Sequence, residues 1–378
     1  MKKAIAVILC VFALVALFPK VAIAEELSPT EKIKEYDFSK FEEYFSAVKD
    51  SFESESFSEF AEKLLSGEVD GKEIFSSFIG VALGGIKSVV PLIGILVVLS
   101  LIYGVLGNAK GDFFSGELGF AIRLSYTLAA SLTLCIYVGK AFETAAKTML
   151  SMKNQMFATF PFLITLLYAG GGEVTAASVQ PVLYFLSVSL TGIIQSVVQP
   201  LYVFSFLVGL FSRLSEKTDF SKIAEFSKNL SNTVLTVSLV VFTAYLAISG
   251  SFSISRDGAM YKAARYALSQ GVPIVGTYLR EGIDMVVLCS AEIKNAVGTA
   301  ALLVFLALSL SPVVKCYALS LAIKLSAAIS SPFSDEKTVR FLDGAAKSVD
   351  SVGASLLCVL LMYMESVFVL IAATRYVL

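Results

Sequence analysis

Acidic and amide side chains recur at helical spacing between residues 281 and 297, inside a chain of 378 residues that is 56% hydrophobic. If this stretch is an α-helix, its polar face spans roughly 80°. Carboxylates on such a face suit either a solvated surface helix or the polar lining of a pore or cavity. The polar face comprises Glu281, Asp284, Leu288, Glu292 and Asn295, and the opposite side comprises Ile283, Val286, Ser290, Ile293 and Val297.

A further acidic side chain, Glu365, lies near the middle of the last apolar run, residues 351–373. An unpaired carboxylate at this depth in a membrane is costly, so we expect it to face a partner or a water-filled cavity. Two interpretations stay open. Glu365 belongs to an ion or substrate path, or it is protonated or paired with a lysine such as Lys315 or Lys324 for assembly alone.

Several kinds of catalysis are excluded by what the sequence lacks. It contains no histidine, the commonest metal ligand and the usual general base. It contains no G-x-x-x-x-G-K-[ST] loop for nucleotide phosphates and no G-x-S-x-G nucleophile. We therefore predict no catalytic residue, no metal site and no cofactor, so the chain is expected not to be an enzyme. Any ATP hydrolysis must come from another subunit.

Three regions differ in composition. Residues 1–24 read as a secretory signal peptide, with two lysines, an apolar core and an Ala-Ile-Ala cleavage site. Residues 25–73 carry fifteen acidic residues and six lysines, a net charge of −9, and we predict that they form an extracytoplasmic segment. This charge repels nucleic acid and anionic lipid. Residues 74–378 are predicted to form a multi-helix membrane domain.

Aromatic residues recur three or four positions apart in the acidic segment, between residues 38 and 64. This spacing predicts one or two amphipathic helices with an acidic opposite face. The aromatic stripe either packs within the chain or against the membrane, or it fills the groove of a partner. Its members are Phe38, Phe41, Phe45, Val48, Phe52, Phe57, Phe60 and Leu64.

Long apolar runs and a mean hydropathy of +0.78 predict an all-α fold, a polytopic membrane helix bundle with about six to eight spans. Residues 156–168 and 313–329 are shorter or interrupted by lysines, and we expect broken, interfacial or buried helices there. Basic residues in 140–155, 212–231 and 253–272 do not fit a simple alternation of loops, so the topology stays open. The candidate spans are residues 80–106, 119–139, 178–210, 232–252, 297–314 and 351–373.

A helix break is predicted near residues 271–279, just before the polar face. Pro273 removes a backbone donor, and Gly271, Gly276 and Gly282 lower the helix propensity around it. A plain loop, a broken transmembrane helix and a docking surface would each use this break differently.

Ordered motifs around the break carry a resemblance to a known family. Asp257-Gly258 is followed by a basic helix with Lys262 and Arg265, then by residues 273–276, and then by Lys-Asn-Ala-Val-Gly at 294–298. In this order the motifs resemble the stage III sporulation protein AE family of endospore-forming bacteria. The resemblance covers roughly residues 150–340, and further matching positions are Pro161, Gly170, Gly171, Gly172, Pro312, Lys315 and Pro332.

The resemblance implies a subunit of the mother-cell membrane complex that links mother cell and forespore during engulfment. Partners implied are other stage III sporulation membrane subunits, a separate ATPase and ring-forming proteins, together with membrane lipid and no nucleic acid. The motif-rich region would then be a conduit or docking element. Its candidate residues are Asp257, Lys262, Arg265, Pro273, Gly276, Glu281, Asp284, Glu292, Lys294, Asn295 and Gly298.

An alternative from another class is a proton-coupled permease that uses Glu365. Transporters of that kind often contain two related halves with paired broken helices. No convincing internal repeat is visible in the sequence, which favours the complex subunit over the permease.

Overall fold

The computed structural model describes residues 33–372 except 35, 53, 70, 109–116, 171–172, 215–219, 272–274 and 333–335. Over residues 249–286 it describes the helical backbone alone. The predicted signal peptide lies outside the described residues. All regular secondary structure in the described part is helical, which confirms the predicted all-α class.

Ten α-helices follow one another along the described chain. The first two are short and precede the membrane helices: α1 is Ser39–Phe45 and α2 is Phe57–Ser66, with a 3₁₀ turn at Lys49–Ser51 between them. The others are α3 Gly71–Lys87, α4 Val90–Asn108, α5 Glu117–Ala169, α6 Glu173–Ile193, α7 Gln199–Leu214, α8 Ser221–Gly271, α9 Val275–Ser330 and α10 Glu336–Ala372.

Six helical stretches in the described part are long and apolar enough to cross a membrane, at the lower end of the predicted six to eight. The number is low because residues 156–168 and 313–329 continue α5 and α9, with Pro161 and Pro312 inside those helices. The stretches are Ile74–Tyr103, Leu124–Ala169, Val182–Ser212, Ser221–Ile248, Val287–Ser330 and Thr338–Ala372.

The lysine-bearing residues 140–155 belong to α5 and do not form a loop between spans. The lysines of this stretch therefore do not belong to a loop, which is why loops that alternate between the two sides of the membrane could not account for them. The predicted run 178–210 is one helical path, because a π-helical turn at Ile194–Val198 joins α6 to α7 directly before Pro200. A π turn accommodates the missing donor of a nearby proline without ending the helix.

Neighbouring helices form antiparallel pairs. In α9 and α10, Ser320 Oγ donates to the carbonyl of Ala346 at 3.0 Å, while the start of α9 meets the end of α10. In α7 and α8, Ser205 Oγ donates to the carbonyl of Ala224 at 2.7 Å. We call the end of the bundle where α4, α7 and α9 end and α5, α8 and α10 begin the turn end. We call the opposite end the cap end, because the N-terminal cap described below packs there.

Contacts at the turn end tie α4, α5 and α9 together. Ser100 Oγ accepts a hydrogen bond from Ser330 Oγ and lies 3.1 Å from the hydroxyl of Tyr126. Tyr126 also stacks on Tyr103, with ring centroids 4.4 Å apart. Helices α3 and α4 therefore run in the same direction as α9.

Helices α9 and α10 form the centre of the bundle. In their most apolar windows, 78% and 67% of the residues are buried, against 22–39% in the other four spans. Tyr363 of α10 stacks on Phe305 of α9 at 3.7 Å and lies 5.7 Å from Phe160 of α5. Its hydroxyl donates to Thr159 Oγ1 at 3.1 Å, so this buried phenol is satisfied.

Helices α1 and α2 and the residues between them form an N-terminal cap whose aromatic stripe is buried. Phe41 and Phe57 stack at 4.7 Å, and both are at most 3% exposed. Phe38 and Phe41 each lie 5.4 Å from Phe162 of α5, so the cap packs on the membrane helices. The interpretation of helices that pack within the chain is therefore confirmed.

Side chains at the start of α2 fix the fold of the cap. Ser56 Oγ accepts from the backbone N–H of Glu59 at 3.1 Å, as an N-cap residue does. The Glu42 carboxylate of α1 accepts from the backbone N–H of Phe57 at 2.8 Å, so the two helices share one cap. Lys63 lies 2.7 Å from the Glu59 carboxylate, and this contact lowers the pKa of Glu59.

Candidate docking site

Helix α8 is described as far as Gly271 and α9 from Val275, and the centre of the predicted break, residues 272–274, lies outside the described residues. Residues 275–279 of the predicted break at 271–279 are helical, and a break at Pro273 stays a prediction. Gly276 lies in the first turn of α9, so the new helix starts before the polar face. Both helices extend past the end of α10 at the cap end by roughly twenty residues, or about 30 Å.

Five of the predicted site residues lie in helical backbone whose side chains are not described. Asp257, Lys262 and Arg265 lie in the second half of α8, and Glu281 and Asp284 lie in the first third of α9. Their assignment to a conduit or docking element stays a prediction.

From residue 287 onward, the predicted polar face of α9 is visible as a difference in burial. Glu292 and Asn295 are half-buried, whereas Ile293 and Val297 on the opposite side are at most 1% exposed. The half-buried positions recur at helical spacing, and we call this set the polar stripe. It consists of Leu288, Glu292, Asn295 and Thr299.

Asn295 contains a buried acceptor without a hydrogen-bond partner in the described part of the chain. Its Oδ1 atom is enclosed and has no hydrogen-bond partner among the described residues. An enclosed amide oxygen without a donor costs about 1–3 kcal/mol, so this position gains stability when a donor reaches it. The polar stripe therefore has the chemistry of an incomplete contact.

Lys294 is fully buried next to the polar stripe and holds the end of α10. Its ammonium donates to the backbone carbonyls of Leu370 at 2.6 Å and Ile371 at 3.2 Å. These carbonyls belong to the last turn of α10, where the helix leaves its acceptors unsatisfied and concentrates negative partial charge. The ammonium supplies both the hydrogen bonds and the opposite charge.

Gly298 lies one turn after Lys294 and contacts the same turn of α10. A Cβ atom at this position would lie 3.0 Å from both Cγ1 and Cδ1 of Ile371 and 3.6 Å from Cδ2 of Leu163. The missing side chain therefore makes room for Ile371. We call the two residues the Lys294–Gly298 notch.

The notch gives two predicted docking residues a role inside the chain. Lys294 and Gly298 are among the predicted conduit or docking residues, but the Lys294 side chain and the backbone of Gly298 both contact the last helix of the same molecule. The four-residue spacing of Lys294 and Gly298 is the feature of the sequence that indicates a shared contact, since residues four apart lie on one helix face.

Glu365 is half-buried in α10 and hydrogen-bonded to α8. Thr243 Oγ1 donates to its two carboxylate oxygens at 3.0 and 3.3 Å. Lys324 pairs instead with Asp350, which lies on α10 about four turns from Glu365 toward the turn end. The interpretation in which Glu365 pairs with Lys324 is therefore wrong, because Lys324 lies too far along α9.

The described residues contain no group of three or more histidine, cysteine, aspartate or glutamate side chains that could hold a metal ion. Cys289, Cys316 and Cys358 are buried and unbridged, and Cys135 is half-buried.

Comparison with known proteins agrees with the order of motifs. No solved structure matches the chain. Stage III sporulation protein AE of Bacillus subtilis (strain 168) is 26% identical over 285 residues, which cover 75% of this chain and 71% of that protein. The family model for stage III sporulation protein AE matches residues 55–374, which include α2 and all six candidate spans. The chain is a multi-pass membrane protein of sporulation and belongs to the stage III sporulation protein AE family.

Proposed function

We propose that the chain is a non-enzymatic subunit of a sporulation-specific, secretion-like channel between mother cell and forespore, required for forespore development. It would reside in the mother-cell membrane that surrounds the forespore. Its proposed partners are other stage III sporulation membrane subunits, a separate ATPase and ring-forming proteins. The family supports the sporulation role, and the absence of a P-loop from the sequence is consistent with a separate ATPase.

The polar stripe is the observation that carries this proposal. It lies on α9, the most buried span, yet its polar members Glu292, Asn295 and Thr299 are only half-buried. Polar groups within a span face a partner or a water-filled cavity, because lipid offers them no hydrogen bonds. With the acceptor of Asn295 unused among the described residues, a partner subunit or a conduit would complete the site.

We predict that reversing three charges of the polar face abolishes assembly and spore formation. The variant carries Glu281→Lys, Asp284→Lys and Glu292→Lys as the cell's only copy of the protein. A donor from a partner would meet three cations, and like charges across an interface cost several kcal/mol. Heat-resistant spores would be counted, and co-purification of the other stage III membrane subunits would be measured.

Two controls accompany this variant. Glu225→Lys reverses an exposed carboxylate on α8, away from the polar stripe, and should sporulate normally. The neutral set Glu281→Gln, Asp284→Asn and Glu292→Gln keeps the shape and should give an intermediate loss. Wild-type sporulation in the charge-reversed variant, at normal protein level, would remove the proposal.

The permease remains a second candidate because Glu365 lies within a span without an ion pair in the described part of the chain. Its carboxylate and the hydroxyl of Thr243 form the kind of polar pair that proton-coupled carriers use. The purified protein in liposomes with an imposed proton gradient would then move a solute, and Glu365→Gln would stop this flux. We expect neither flux in the wild type nor a sporulation defect from Glu365→Gln.

A further inference from the structure

The open surface of α10 differs from that of the other candidate spans. In the described part of α10, only Arg340, Gly344 and Lys347 are exposed, and none of them is a large apolar residue. Each of the other five candidate spans exposes large apolar side chains, as suits a helix that borders hydrocarbon. Where α10 is open, its surface therefore consists of two charged side chains and a glycine.

This open part of α10 lies at a level where a neighbouring helix presents an apolar surface. Helix α4 runs beside α9, with Ser330 Oγ donating to Ser100 Oγ, and α10 runs beside α9, with Ser320 Oγ donating to the carbonyl of Ala346. Since Ser320 and residue 90 each lie ten residues before these two bonded serines, Ala346 is near the level of residue 90. The charged surface of α10 is therefore at the depth of lipid-facing residues. From residue 90 toward the turn end, α4 exposes the side chains of Val90, Ile95, Val98, Leu101 and Ile102 by 42–54%.

The open residues of α10 and two half-buried aspartates form one helix face. At 100° per residue, Arg340 and Lys347 lie within about 20° of each other, and the two aspartates lie about 40–80° further round. Lys347 Nζ is 2.6 Å from Asp343 Oδ2, and these two side chains are 56% and 46% exposed. We call this set the charged face of α10, and its members are Arg340, Asp343, Gly344, Lys347 and Asp350.

Contacts with neighbouring helices show which way the two edges of the charged face point. The acidic edge borders α9, where Lys324 pairs with Asp350. The basic edge borders α7 and α8. Ser351, about 40° beyond Lys347 on that side, bonds to Tyr202 of α7, and Lys228 of α8 interacts electrostatically with Lys347 and with both aspartates. The charged face thus has a basic edge on one side and an acidic edge on the other.

A face of this kind suits another protein surface better than it suits lipid. Charged side chains inside a membrane are costly, and they are almost always paired or directed away from hydrocarbon. Gly344 leaves open space, because nothing lies within 4 Å of a Cβ atom built at this position. Small residues of this kind allow a second helix to approach closely. The charged face therefore combines room for a helix with charges that a partner would cover.

We propose that the charged face of α10 binds the charged face of a second copy of the chain, in a dimer with two-fold symmetry about an axis normal to the membrane. Two copies inserted in the same direction have parallel α10 helices, so the two-fold axis sets the basic edge of each against the acidic edge of the other. Lys347 of one copy would then lie between Asp343 and Asp350 of the other. Along the helix these aspartates are about 6 and about 5 Å from the level of Lys347, which the flexible stem of a lysine covers.

The presence of both signs favours a second copy over other occupants. An anionic lipid would be attracted to the basic edge and repelled by the acidic edge, and a helix with charges of one sign would meet the same conflict. A second copy supplies the opposite sign at both edges. This self-association is separate from the channel role proposed above and does not depend on it.

Two differently tagged copies, expressed in one cell and extracted with a copolymer that retains the surrounding lipid, test the dimer. Wild-type copies should co-purify. Lys347→Glu in both copies should lower the recovered fraction about fivefold or more, since like charges then meet across the interface. Asp343→Lys in both copies should do the same. One copy with Lys347→Glu and one with Asp343→Lys should associate again, because opposite charges then meet.

A matched control is available on α5. Lys147 lies 2.7 Å from Glu143 at the same four-residue spacing, but α5 also exposes large apolar residues such as Leu150. Lys147→Glu should therefore leave co-purification unchanged. The variants Lys347→Glu and Asp343→Lys lose the same pair within α10, so recovery of association in their mixture can come only from contact between copies.

Three results would overturn the dimer. The first is wild-type copies that do not co-purify, which would leave the charged face to lipid, water or a different subunit. The second is association that survives both single variants, which would place the interface elsewhere. The third is a mixture of the two variants that stays apart although each variant unfolds at the midpoint of the wild type.

Discussion

Lys294→Met is expected to lower the free energy of unfolding by about 2–3 kcal/mol and to release the end of the last helix. The substitution keeps the length and the apolar stem of the side chain but removes the ammonium that contacts the carbonyls of Leu370 and Ile371. Both carbonyls then lie in the bundle without this donor. Thermal unfolding in detergent would measure the stability loss, and proteolysis near the carboxyl terminus would report the released helix.

Lys315→Met is the matched control for this substitution. Lys315 is half-buried on the same helix and makes no hydrogen bond or ion pair with the described residues, so its loss should change stability little. A competing effect acts at Lys294, because replacing a buried charge by an apolar side chain can be neutral or stabilising when desolvation dominates. Unchanged stability in Lys294→Met would show that the two carbonyl contacts merely offset the burial of the ammonium.

Gly298→Leu is the second substitution with a large expected effect. A Cβ atom at residue 298 would lie 3.0 Å from two atoms of Ile371. The rest of a leucine side chain would enter space that Ile371 and Leu163 fill. Overpacking of this kind costs about 1–3 kcal/mol, and here it displaces the last turn of α10. A lower unfolding midpoint and faster proteolysis of the carboxyl terminus would show the displacement.

A compensating change separates the close contact from a general effect of leucine. Ile371→Ala removes the atoms that clash and should restore part of the stability lost in Gly298→Leu, with a coupling energy of about 0.5–3 kcal/mol. Gly84→Leu on α3 is the neutral control, because nothing lies within 4 Å of a Cβ at Gly84. A double variant no more stable than Gly298→Leu alone would contradict the proposed packing against Ile371.

The fold class and several local features follow from the sequence for physical reasons. Apolar runs long enough to cross a bilayer predict helices, since only a helix or a closed barrel satisfies its backbone in lipid. Aromatic spacing in the cap and polar spacing around Glu292 each indicate a helix face, and both faces differ in burial as predicted.

Other features depend on contacts that periodicity does not reveal. Hydropathy divides α5 at its lysines, yet a helix backbone continues through charged residues when their side chains reach water, as Lys147 does at 76% exposure. The burial of Lys294 depends on acceptors 76 residues further along the chain. Pairing of Lys324 with Asp350, and hence the separation of Glu365 from that lysine, depends on the alignment of α9 with α10.

The contact of the cap with Phe162 sets an order of events during synthesis. Phe38 and Phe41 leave the ribosome about 120 residues before Phe162, since the chain is made from its amino terminus. The cap therefore emerges before the surface on which it rests exists, and the contacts of Phe38 and Phe41 with Phe162 form only after α5 has been inserted. Completion of the cap is a late event, although its residues come first, and a chain halted before α5 would present these phenylalanines to chaperones and proteases.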